Sequence, residues 1–252
     1  MSKQLILYLI VGFLLAVSCN RAVKDNEFSL NGALKQSKEM KLVLSELDTN
    51  GYKTLDTIKT DKNGAFKKYF STKNENIYRL SLSDNDFIVF IAKAKDVITI
   101  KANVGSFSST YKIEGSKTSE ELQKLNSENI ATRQQFAMMK EQLLQSRGTE
   151  NEQEVREQIK QKYNLLHQQE REFTLKFIDE NIGNLASVIA LYRTFDGQWL
   201  VMADELEIYN KVLDGLKKTM PNNPQTIYLE NCIKKNEKLV EHIKKQQNDN
   251  RK

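Results

Sequence analysis

Leu55-Asp-Thr-Ile-Lys-Thr-Asp-Lys-Asn-Gly-Ala-Phe-Lys-Lys-Tyr-Phe70 sets Asn63-Gly64 between two short runs of β-prone sequence. Asn and Gly tolerate the positive φ of tight two-residue turns, so the pattern predicts a β-hairpin. Further strand-like runs lie on both sides: Phe28–Gly32 and Met40–Leu47 before it, then Ile77–Leu82, Phe87–Ala92, Val97–Ala102 and Tyr111–Ile113. Each is short and bounded by polar turns. Such a series predicts an antiparallel β-sandwich or open barrel over residues 27–115.

After Gly115 the apolar period changes from two to three and four. Ser119 reads as the N-cap of a helix running to about Gln145, broken at Arg147-Gly148-Thr149. A second helix is expected from about Glu152 to Glu180, with Ile159, Tyr163, Leu166, Phe173 and Phe177 on one apolar face. Its irregular a/d spacing and the Gly148 break favour a hairpin packed on itself over an extended coiled coil. Asn184 is expected to cap Leu185–Phe195, and Asp204 to cap Glu205–Lys218. Asn223-Pro224 opens the last helix, with Tyr228, Leu229, Cys232, Ile233, Leu239, Val240 and Ile243 along one side. The fold class predicted is therefore α+β: an N-terminal β-sandwich, then an all-α region over residues 116–252.

The N-terminus reads as an export signal. Lys3 precedes an unbroken apolar run, Leu5–Val17, too short for a comfortable span of roughly 20 residues. Leu15-Ala-Val-Ser-Cys19 follows and resembles the lipobox of bacterial lipoproteins, with Leu15 one place further from the cysteine than usual. The resemblance implies that residues 1–18 are a removed signal peptide, that Cys19 carries lipid, and that residues 19–26 form a tether. Attached acyl chains would anchor the protein to a membrane, each buried methylene adding about 0.8 kcal/mol. The Asp that retains some lipoproteins in the inner membrane is not at position 20, which is Asn20. The expectation is an outer-membrane location facing the periplasm.

Composition narrows the function. The formal charge is +5, spread along the chain with acids interleaved, which disfavours a nucleic-acid partner. With Cys19 lipidated, Cys232 stands alone, and no C-x-x-C motif can run dithiol exchange. Cys232 itself reads as a core cysteine. His167 and His242 lie on different helices, too few and too scattered for zinc. Asp61-Lys-Asn-Gly64 lacks the remaining acids of a calcium loop, and Asp84-Asn-Asp86 reads as a turn. No G-x-S-x-G elbow is present. No metal, cofactor or catalytic set is expected. Tyr192, Phe195 and Trp199 flank Asp196-Gly197-Gln198, a break between helices, and form the candidate partner patch.

Phe28-x-Leu-x-Gly32, Asp56-Thr-Ile58 with Asn63-Gly-x-Phe66, and Tyr111-Lys-Ile-Glu-Gly115-Ser-x-x-Ser119 together resemble a Bacteroidota domain of unknown function, numbered 4369 among such families. The resemblance covers about residues 27–125. It implies an envelope location and a helical connector after the β-part. A thioredoxin-like domain commonly follows in relatives; with Lys252 as the last residue, none is expected here, and the family carries no catalytic residues to transfer. Two functions stay open. One is a non-enzymatic envelope lipoprotein that binds or assembles with another envelope protein. The other is an accessory of periplasmic thiol–disulfide chemistry.

Overall fold

A computed structural model describes residues 21–36 and 39–249, with side chains up to Leu239 and at Glu241 and Gln246. Cys19 and the signal segment lie outside the described residues, and so does the side chain of His242. Eight strands form two four-stranded sheets. The first has the order β4 (Ala65–Ser71), β1 (Glu27–Lys35), β7 (Val97–Asn103), β8 (Lys112–Glu114). The second has the order β3 (Gly51–Lys59), β2 (Lys41–Asp48), β5 (Asn76–Ser81), β6 (Phe87–Ala92). The sheets face each other as an open sandwich. Phe28, Leu30, Phe70, Ile98 and Ile100 of the first meet Leu42, Leu44, Tyr78, Leu80 and Phe90 of the second in one core. The rings of Phe28 and Tyr78 lie 4.8 Å apart, and those of Tyr78 and Phe90 are stacked at 5.5 Å. Burial pushes the Tyr78 phenol up to about 12, with its hydroxyl donated to Thr72 Oγ1 at 3.0 Å.

The Asn63-Gly64 turn forms, but it is not a hairpin. β3 pairs with β2 and β4 pairs with β1, so the turn carries the chain from one sheet to the other. Its chemistry is local: Gly64 sits at φ 81°, and Asp61 Oδ1 accepts from the Asn63 and Ala65 amides at 2.8 Å each. A two-residue signal reports a reversal, not which strand lies beside which. The first sheet also departs from the antiparallel expectation, because β1 runs parallel to β7, Leu30 beside Ile98. Gly32 is required where β1 crosses the core. A Cβ there would stand 2.2 Å from the Phe66 ring and 2.6 Å from the Ile100 carbonyl.

Phe87–Ala92 reads Phe-Ile-Val-Phe-Ile-Ala without polar alternation because the second sheet is buried on both faces. Its outer face, through Ile77, Val89 and Ile91, packs on the helical region. That region begins after a 3-10 turn (Val104–Ser106) and a short helix α1 (Phe107–Thr110), followed by β8. It then comprises α2 (Lys117–Gln145), α3 (Glu152–Glu180), α4 (Leu185–Leu191), α5 (Leu206–Thr219) and α6 (Pro224–Asp249). Leu122, Leu125, Phe177, Leu185, Leu191, Val212, Leu216, Leu229 and Ile233 complete this second core.

Ser116, not Ser119, caps α2; its Oγ accepts from the Ser119 amide at 3.3 Å. Ser119 is turned inward instead. Its buried hydroxyl accepts from the Ile91 amide at 2.8 Å and donates to the Ile91 carbonyl at 2.6 Å. A side chain thereby takes the place of a neighbouring strand at that point of the β6 edge. The start of α6 docks on the other end of the sheet. Asn223 donates to the Glu75 carbonyl at 2.6 Å, and Gln225 to the Leu47 carbonyl at 3.0 Å and Asn76 Oδ1 at 3.2 Å. The sandwich and the helices therefore share an apolar core and a polar clasp.

Helices α2 and α3 are 29 residues each and pack as the expected hairpin. The buried residues of α2 end at Thr132, and those of α3 begin at Leu166. The distal half is thus an arm closed mainly on itself, with Phe136, Met139 and Tyr163 at its base. Helix α4 stops at Leu191, short of the predicted Phe195. The chain instead makes a miniature hairpin, β9 (Thr194–Phe195) and β10 (Gln198–Trp199), turning through Asp196 and Gly197 at φ 49° and 78°. Two consecutive left-handed residues specify a tight hairpin turn, and an Asp-Gly pair supplies them at little strain. Helix α5 is capped at Glu205 rather than Asp204.

Candidate functional site

The miniature hairpin separates the three aromatics of the predicted patch. Phe195 is buried, 5% exposed, and plugs the base of the α2–α3 arm between Phe136 and Tyr163 at 5.3 and 5.4 Å. It therefore leaves the patch. Strand alternation puts Trp199 on the other side of the ribbon, 48% exposed, with Tyr192 edge-on to it at 6.2 Å.

Two residues missing from the sequence-based patch extend it. Met202 is 51% exposed and lines a groove of about 470 Å³ together with Trp199, Gln198, His167, Arg171 and Glu205. Tyr228, 42% exposed, brings α6 to the same surface. Tyr228 and Tyr192 both reach the thiol of Cys232. Cys232 is half-buried, not a core residue. On α6 the core is held by Leu229 and Ile233, while Tyr228 and Leu239 face outward. Burial raises the Tyr192 phenol well above its ordinary value, with Cys232 and Tyr209 adding to the effect. The phenol is neutral at any physiological pH and serves as a hydrogen-bonding group on an apolar ring.

A clamp holds the segment that presents Trp199 and Met202. Arg171 on α3 pairs with Glu205 through both guanidinium NH₂ groups and also donates to the Leu200 carbonyl. Glu205 Oε2 accepts from the Met202 amide at 2.6 Å. The Arg171 guanidinium hydrogen-bonded to Glu205 holds that carboxyl below its usual value. Four donor–acceptor links thus fix residues 200–205, so the exposed side chains sit on a rigid support. Pre-organisation of this kind reduces the ordering cost of binding.

Behind the patch lies a buried ion pair that sequence reasoning missed. Glu170 on α3 and Arg193 after α4 pair at 2.7 Å, with side chains 4% and 6% exposed. Thr132 of α2 donates to the other Glu170 oxygen, and Arg193 also donates to Thr174 Oγ1 at 2.7 Å. Three segments are thus tied at one point. The only sequence signal was a Glu and a Thr on the inward side of α3, at positions 170 and 174, between Leu166 and Phe177.

His167 is half-buried against Phe195 at 5.8 Å, and its Nε2 has no hydrogen-bond partner. Among the described residues no group of three His, Cys, Asp or Glu could hold a metal ion. Among them also, no helix is long and apolar enough to cross a membrane. The arrangement offers apolar and aromatic area, rigid support and a few hydrogen-bonding groups, which is the chemistry of a contact surface. The model of a family described as a domain of unknown function (DUF4369) matches residues 28–122, the sandwich and the first turns of α2. Searches of curated proteins and of solved structures give no match.

Proposed function

Residues 28–122 form a DUF4369 domain, and with that as the premise we propose that the protein is a lipid-anchored envelope lipoprotein acting as a non-enzymatic binding or assembly module. In this reading residues 1–18 are a removed signal peptide, Cys19 carries the lipid, and the protein faces the periplasm from the outer membrane. The observation that carries it is the surface of Tyr192, Trp199, Met202 and Tyr228. These exposed large side chains adjoin one another on a clamped support, whereas the sandwich packs most of its aromatics away and leaves only Tyr52 and Phe87, both stacked on Arg79, exposed among the described residues. Clustered exposed aromatics of this kind mark protein contact sites.

The test is in-cell photo-crosslinking from position 202, with and without Trp199→Ala. A specific envelope protein captured by the parent and lost with Trp199→Ala supports the reading. Equal capture in both, or turnover of a small substrate abolished by one substitution, overturns it. The second reading, an accessory of thiol–disulfide chemistry, takes its support from Cys232, a half-buried thiol between Tyr192 and Tyr228 at the same surface. A mixed disulfide trapped with the parent and absent with Cys232→Ser would favour it over the first.

A further inference from the structure

Helices cover the outer face of the second sheet, whereas the outer face of the first is open. Strand alternation places Ala65, Lys67 and Tyr69 of β4, Asn31, Ala33 and Lys35 of β1, Val97, Thr99 and Lys101 of β7, and Lys112 and Glu114 of β8 on it. Register brings the lysines into one field. Lys67 stands beside Asn31, which stands beside Thr99. One row on, Lys101 lies directly across from Lys112 and beside Ala33. Lys35, Lys67, Lys101 and Lys112 are all exposed. Like charges directly opposite, as at Lys101 and Lys112, destabilise a sheet unless something else compensates them.

The strand rows carry few acids, and Glu120 and Glu128 of α2 border the face only at its Lys112 edge. Glu27 is engaged by Arg21, and Glu114 is the other carboxylate in the sheet rows. Lys35, Lys101 and Lys112 make no ion pair among the described residues. This contrasts with α3, where Arg156, Lys160 and Lys176 each have an acid within reach.

The chain enters the fold across this same face. The Arg21 guanidinium lies over the Tyr69 ring at 4.5 Å, and the Tyr69 hydroxyl donates to the Arg21 carbonyl at 2.8 Å. Arg21 is thus pinned two residues after Cys19. The described chain therefore begins against the open sheet.

We propose that the open, lysine-bearing face of the first sheet docks on an anionic lipid surface, orienting the protein flat on the membrane that holds its anchor. The proposal rests on the reading of Cys19 as a lipid anchor for its biological setting. Charge complementarity selects the occupant: a field of exposed lysines meets a plane of phosphates, an attraction felt over a Debye length of about 10 Å. The aromatic surface around Trp199 is built on the helices that cover the second sheet, so it is left free to bind a partner.

The experiment uses the mature-length chain, residues 19–252, made without acylation, so that the anchor makes no contribution. Flotation is measured with vesicles of phosphatidylcholine alone and of phosphatidylcholine and phosphatidylglycerol in equal parts. Binding is expected only to the anionic vesicles, and it is expected to fall steeply with added salt. The triple substitution Lys67→Gln, Lys101→Gln, Lys112→Gln is expected to weaken it about a hundredfold, taking the usual contribution of a lysine at an anionic surface. Lys160→Gln, Lys162→Gln, Lys176→Gln on α3 removes the same charge elsewhere and should leave it unchanged. Unchanged far-ultraviolet circular dichroism shows that each variant is folded.

Equal binding to both vesicle types, equal loss in the two triple variants, or no loss in the first would overturn the proposal. Retention on an anionic polysaccharide without vesicle binding would assign the face to a polymeric anion and overturn it as well. None of these results bears on whether Cys19 is acylated, which is read by lipid labelling. Conversely, failed labelling leaves the vesicle result standing.

Discussion

Replacing Arg193 by methionine keeps most of the side-chain volume and removes its charge. Glu170 would then be left 4% exposed with its partner gone, held by Thr132 alone. Breaking a buried pair by removing one member typically costs about 3–5 kcal/mol, because the remaining charge is stranded. For a chain of this size that corresponds to a fall in Tm of about 6–20 °C. The pair's net contribution is much smaller, since both charges were stripped of water to make it. The double variant Glu170→Leu, Arg193→Met is therefore expected to recover most of the loss and to lie within about 1–2 kcal/mol of the parent. Urea unfolding followed by far-ultraviolet circular dichroism measures all of these. A cost below about 1 kcal/mol for Arg193→Met, or a double variant as damaged as the single, would refute the argument that Glu170 and Arg193 compensate one another.

Gly32→Ala should destabilise the sandwich by on the order of 1–3 kcal/mol or more, because its Cβ would collide with Phe66 and the Ile100 carbonyl; thermal unfolding reads this. Ser119→Ala strands the Ile91 amide, while the Ile91 carbonyl keeps the Ser116 hydroxyl at 3.0 Å, an expected cost of about 1–3 kcal/mol that hydrogen exchange should localise to β6. Glu205 has a folded value below its usual 4.5, set by Arg171, so it binds protons less readily folded than unfolded. Its stabilising contribution is then complete above pH 4.5 and is lost as pH falls through the lowered folded value. Amide protection at the start of α5, corrected for the intrinsic exchange rate, should fall with acid in the parent, and Glu205→Gln should remove that dependence.

The order of strands and helices was legible because most elements obey one local rule. Alternation located β1, β2, β3, β4 and β7, and three- and four-residue steps located α2 and α3, the latter at its observed ends. Pairing was not legible. Asn63-Gly64 specifies a turn by its own φ preference, but whether the flanking strands pair is decided by distant apolar faces, and here they join different sheets. The run Phe87–Ala92 already held the clue that the second sheet is covered on both sides, since a half-exposed strand would alternate.

The candidate patch was legible in part. Asp196-Gly197 was recognised as a break, but a reversal after two strand residues sends Phe195 inward and Trp199 outward. Helical or unassigned spacing cannot separate them. Tyr228 and Met202 join from sequence positions that only the packing of α5 and α6 brings together. The Glu170–Arg193 pair escaped for a related reason: a charged residue within a Glu- and Lys-rich helix looks solvated until its partner arrives from another segment.

Metabolic labelling with an alkyne-bearing palmitate, in parent and Cys19→Ser cells, tests the central claim most directly. The account predicts a labelled, membrane-bound mature protein in the parent and an unlabelled one in the variant. Unlabelled parent protein, or label that persists with Cys19→Ser, would contradict it.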